Sequence, residues 1–152
     1  MAVGTVSGVN LDEQWQLISS VTPSGTSVTF SSLTGYKHIW IMGNAITKSA
    51  STAIGIRPNN DSSVGAYAWA QSGNDSKFYA GVTTTGSSAL SFKIYNIDQA
   101  SPHKIEAVSD SLYSSNGDAY TNPVAITSVT VLTWNGSATF TGGTLAVYGV
   151  PA

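Results

Sequence analysis

Wherever this chain carries apolar residues in number it carries them at every second position, a period that suits strands and argues against helices. Val28 and Phe30 alternate with Ser27, Thr29 and Ser31, and Leu90, Phe92 and Ile94 alternate with Ser91, Lys93 and Tyr95. The longest signal is Tyr36 to Met42, rich in aromatic and branched side chains. Within it Ile39 and Ile41 fall on one face, and His38, Trp40 and Met42 on the other. Two apolar faces predict a central strand with a partner on its second side. Shorter strand signals lie at Ala53 to Arg57, Lys104 to Val108, Ile126 to Trp134 and Leu145 to Val150.

Turn residues punctuate these runs. They cluster at Thr22-Pro23-Ser24-Gly25, at Pro58 and Asn59-Asn60-Asp61-Ser62, and at Asp98 to Pro102. Asn135-Gly136 predicts a hairpin, Gly142-Gly143 a further turn, and the polar stretches 71–76 and 114–123 read as loops. A helical turn over Asp12 to Leu17 is too short to alter the class. The expected fold is all-β, an antiparallel β-sandwich of jelly-roll type with about eight to nine short strands.

A length of 152 residues suits one domain. Residues 14–152 form it. Residues 1–13 read as a flexible N-terminal arm in which Val3, Val6, Val9 and Leu11 are spaced by Gly4, Ser7 and Gly8, a pattern suited to docking on a neighbour. The N-terminal residues do not read as a secretory signal, and no apolar stretch approaches the roughly 20 residues needed to span a bilayer. The chain has no cysteine, so the fold is expected to form without disulfides.

Only 9% of the residues are charged, against about a quarter in ordinary domains. Ser, Thr, Asn and Gly keep the surface wet instead. The net charge is −2 with no cluster of Lys or Arg, which argues against nucleic acid and anionic membranes as partners.

Catalytic signatures are missing. There is no zinc-protease HExxH, no GxSxG elbow and no phosphate loop. His38 lies within a strand signal and reads as a packing residue; His103 follows a loop proline. Asp61, Asp75, Asp98, Asp110 and Asp118 sit in or beside loops without the spacing of a calcium loop. The expectation is a protein without catalytic residues, metal or cofactor. Aromatic residues flanking polar loops are the remaining candidates: Tyr67, Trp69, Phe78 and Tyr79 beside one, Tyr113 and Tyr120 beside another. Half-exposed rings there would stack on glycan; the other role open to them is filling the core or a subunit interface.

Several segments, in order, resemble a family of small β-sandwich virion surface proteins of tailed bacteriophages. They are Trp15-Gln16-Leu17-Ile18, Val28 to Leu33 followed by Tyr36-Lys37-His38, Asn59-Asn60-Asp61-Ser62 before Tyr67, Ile94-Tyr95-Asn96-Ile97, and Leu145 to Val150. The resemblance covers residues 14–152 and departs from the family at Arg57-Pro58-Asn59-Asn60-Asp61, where an aromatic-Asn-Gly-Asp turn is usual. It implies a homotrimer on the outer capsid surface that contacts the major capsid protein as a decoration, or cement, protein. It implies as alternative a receptor-binding distal domain of a tail fibre or tailspike that recognises host-surface glycan. A chain with about a dozen residues ahead of its sandwich, and no visible shaft, favours the capsid role.

Overall fold

A computed structural model describes residues 14–68, 78–80, 85–110 and 115–152, with residues 68, 79, 80 and 115–119 described by their backbone alone. The candidate arm residues Val3, Val6, Val9 and Leu11 lie outside the described residues, as do Trp69 and Tyr113.

Eleven strands are present among the described residues, with no helix. They are β1 (Gln16–Val21), β2 (Ser27–Phe30), β3 (Tyr36–Lys48), β4 (Ile54–Pro58), β5 (Tyr67–Ala68), β6 (Phe78–Ala80), β7 (Ser88–Tyr95), β8 (His103–Ser109), β9 (Ser115–Tyr120), β10 (Val129–Thr133) and β11 (Phe140–Pro151). A seven-stranded sheet has the order β1-β11-β3-β7-β8-β9-β5, and a four-stranded sheet the order β2-β10-β4-β6. Every paired neighbour is antiparallel.

The pairing is nested. β1 meets β11, β2 meets β10, β3 meets β7 and β4 meets β6, while the strands from β1 to β7 alternate between sheets. That is the order of a jelly roll, with β8, β9 and β5 extending the larger sheet past β7. The class expected from the sequence is the class observed; the higher count comes from short strands such as β5 and β6.

The period-two pattern explains the packing. Ile39 and Ile41 of β3, Leu145 and Val147 of β11, and Phe92 and Ile94 of β7 point inward and are buried. They meet Ile54 and Ile56 of β4 and Val129 and Val131 of β10 in a single apolar core. Gly149 lets β11 pass under Tyr36 and Ile18: a Cβ there would lie 2.4 Å from the Tyr36 ring.

Four local expectations are corrected. Asn135-Gly136 makes a turn, with the Asn135 side chain accepting from the backbone N–H of Ser137 and Ala138 at 3.1 and 3.0 Å. It joins β10 in one sheet to β11 in the other, so it carries the chain across the sandwich and is not a hairpin. Gly142-Gly143 lies inside β11, where the register with β3 shifts; Gly143 has φ +96° and lies against the Ala45 carbonyl, too close for a Cβ. The polar stretch 114–123 holds β9, paired to β8. Gln16 and Leu17 belong to β1 and not to a helical turn.

Candidate functional site

The polar and aromatic residues near Asp61 come together at one place, and they are closed on themselves. Asn59 and Asn60 take φ of 50° and 53°, a conformation Asn tolerates better than most residues. The Asn59 amide donates to the Ala125 carbonyl at 2.9 Å and accepts from the Thr127 N–H at 2.8 Å. Asp61 accepts from the Ser63 N–H at 2.9 Å, the Tyr120 hydroxyl at 2.8 Å and the Asn122 amide at 3.3 Å. The Tyr67 hydroxyl donates to the Asp61 carbonyl at 2.8 Å. Partial burial alone would raise the Asp61 carboxyl, but its donors together outweigh that and hold it at about 2. Tyr120 is pushed up to about 12, by burial first and by the Asp61 carboxylate second.

This arrangement decides the fate of three sugar-platform candidates. Tyr67, Phe78 and Tyr120 are buried core residues, with the Tyr67 and Tyr120 rings 5.4 Å apart and Phe78 edge-on to Phe92 at 6.5 Å. Their faces are spent on neighbours, so they fill the core, the other role the sequence left open to them, and offer no stacking surface. The Tyr79 side chain lies outside what is described.

Both histidines are engaged with neighbouring groups. His103 is fully buried and stacks on Tyr120, and its Nε2–H donates to the Val124 carbonyl at 2.7 Å. His38 accepts from the Asn96 N–H at Nδ1, 3.0 Å away, and burial, then Lys37, keep its pKa below the usual value. Glu106 is held by Lys104 at 2.7 Å and by the Tyr95 hydroxyl at 2.8 Å. Among the described residues no three His, Asp or Glu side chains are grouped to hold a metal, and no helix is long and apolar enough to cross a membrane.

Among the described residues the open part is the outer face of the larger sheet. Register places Leu17, Tyr148, Trp40, Lys93 and Glu106 in one row across β1, β11, β3, β7 and β8. The neighbouring row is Ser20, Ala146, Met42, Ser91 and Val108. Five strands at about 4.8 Å spacing make each row about 19 Å long. The first row is tall and mutually braced. Trp40 donates from Nε1 to Ser91 Oγ at 2.7 Å, packs near Tyr148 at 6.2 Å and edge-on to Trp15 at 5.8 Å, and carries the Lys93 ammonium 4.7 Å from its ring centre. The second row is mostly short side chains, which leaves a groove of about 730 Å³ beside the ridge.

Sequence reasoning did not single out this face as a site. Its signal was the apolar second face of Tyr36 to Met42, and the partner expected there is not supplied by the chain's described residues: Trp40 stays half-buried and Met42 exposed.

The class this fold defines is an antiparallel β-sandwich of jelly-roll strand order with an aromatic sheet face that the described residues leave uncovered. No family model matches the sequence, and no curated protein matches it. Among solved structures it is similar to an exo-inulinase from Aspergillus awamori, at 13% identity and a TM-score of 0.51, over 90% of this chain and 30% of that one. A human SPRY domain is 14% identical over 91% of this chain and 98% of that one, with a TM-score of 0.40. This chain therefore corresponds to under a third of the inulinase, and at such identity the likeness is one of fold alone.

Proposed function

We propose that this protein is a structural component of a virus particle: a decoration protein that packs on the outer capsid surface, as a trimer, and stabilises the shell against internal pressure. The observation that carries a docking role is the contrast between its polar groups and its outer sheet face. The acids and histidines described above are mostly engaged inside the domain, whereas the described residues leave an apolar aromatic face for a partner. Low charge suits a surface that meets neighbours at close range, where each unpaired charge would have to be desolvated. The sequence resemblance to virion proteins is what sets the protein on a capsid, and this face is left to the contacts among its copies. Many weak contacts repeated by symmetry suffice for such a role without one strong site.

The test is to add purified protein to capsids that lack it and to follow co-sedimentation and heat-induced genome release. Saturable binding with a raised release temperature supports the reading. Capsids that neither bind the protein nor gain heat resistance would reject it.

A second reading, recognition of host-surface glycan by a fibre tip, no longer rests on Tyr67, Phe78 and Tyr120. Its remaining basis is Trp69, Tyr79 and Tyr113, whose side chains lie outside the described residues, and the groove, where Tyr148, Asn44 and Asp110 line one recess. A glycan array probed with the purified chain separates the two: a hit that Asn44→Ala removes favours the fibre tip, and silence across the array rejects it.

A further inference from the structure

We infer that the outer face of the seven-stranded sheet is the surface on which a second copy of this chain packs. The inference deepens the reading above and relies on it only for the presence of many copies in one particle.

Three features of the face point to a copy of itself. The first is where exposed apolar side chains gather. Six large hydrophobic residues are exposed among the described residues. Leu17 at 59%, Met42 at 38% and Val108 at 52% line the groove, and Trp15 at 38% braces the ridge beside it. Four of six on one face of one sheet is a patch, not scatter, and patches of this kind mark association surfaces.

The second feature is charge. Lys93 and Lys104 stand against Glu106 and Asp110, two cations against two carboxylates, and Lys93 and Glu106 are neighbours in the same row. Among the described residues this face sums to zero, so a second copy meets no net repulsion there. A strongly charged partner would find no complement here.

The third feature is relief. The projecting row from Leu17 to Lys93 runs directly beside the recess over Ala146 and Ser91. One face thus presents both a ridge and a groove, so each copy offers what another accepts. Aromatic residues and methionine in the middle, with charges toward one end, is also the usual make-up of a protein interface.

The experiment measures the mass of the full chain by light scattering over a concentration series, for the natural sequence and for Met42→Lys, Val108→Lys and Val64→Lys. Val64 is exposed outside the two rows and serves as control. The expected result is an oligomer at about 50 µM for the natural chain and Val64→Lys, with the dissociation constant raised at least about 30-fold by Met42→Lys or Val108→Lys. Circular dichroism establishes that each variant keeps its strands; should Met42→Lys fail to fold, Val108→Lys and Leu17→Ser decide. A natural chain that stays monomeric to about 500 µM would overturn the inference, as would face variants that assemble as well as the control. Capsid co-sedimentation is a separate readout. Capsid binding by a monomer would sink this inference and leave the decoration role standing without its trimer, whereas an oligomer that ignores capsids would do the reverse.

Discussion

The Asp61 end of the sandwich and the outer face of its larger sheet are both rich in aromatic residues, yet one is closed and the other open. At the closed end Tyr67 and Tyr120 are buried and their hydroxyls donate to Asp61. On the open face Trp40 and Tyr148 brace each other while Leu17, Met42 and Val108 stand in solvent. A ring's neighbours, and not its type, decide whether it holds the fold or serves a partner. The closed end should therefore govern stability and the open face association.

The largest effect should come from emptying the closed end. Tyr120→Ala removes a buried ring and a donor to Asp61, and should cost about 3–5 kcal/mol in a urea titration. A loss below about 1 kcal/mol would erase the contrast. Next, Asp61→Ala leaves the Tyr120 hydroxyl and Ser63 N–H without their acceptor and should cost about 1–3 kcal/mol, read as a lower melting temperature.

Acidity sharpens the same point. Asp61 has a folded pKa of about 2, below its ordinary value of 3.8. Its stabilisation is therefore complete above the ordinary value and fades as pH falls from near 4 through 2. Tyr120 behaves in the opposite sense: its folded pKa of about 12 exceeds the ordinary 10.0, so its contribution is complete below pH 10 and lost as pH rises toward 12. Melting temperature against pH should fall at both ends in the natural chain. The acid limb should flatten in Asp61→Ala, and an unchanged limb would show that other carboxylates set it.

The smallest effect on folding belongs to the open face. Met42→Ser and Val108→Ser should shift the stability of the dissociated monomer by no more than about 0.5 kcal/mol, since these side chains already sit in water. A loss of 2 kcal/mol or more, measured at a dilution where no oligomer forms, would mean that the face packs against something within its own chain.

Much of the fold was legible because strand period depends on neighbours in sequence. Val28 and Phe30, or Phe92 and Ile94, reveal their buried face without any knowledge of the partner strand. Sheet membership was not legible in the same way. Asn135-Gly136 has hairpin chemistry, but Thr133 and Phe140 join different sheets, a choice made by the nested pairing of distant strands. β9 forms from residues poor in strand propensity because β8 supplies a ladder, and that tertiary context outweighs local preference. The site was the least legible part. Leu17, Trp40, Lys93, Glu106 and Tyr148 become one row only through four register choices between strands far apart in the chain. Tyr67 and Tyr120 drew notice because they flank polar loops, whereas their rings are buried and their hydroxyls are spent on Asp61.

The most direct test of an open, partner-covered face is oxidative footprinting of Met42, compared between dilute chain and chain assembled with itself. Met42 reports well because its sulfur oxidises readily once exposed and because it lies midway along the short-chain row. Oxidation that is rapid in dilute chain and several-fold slower after assembly is the expected result. An equal rate in both states would show that nothing covers this face, and would contradict its role as the working surface.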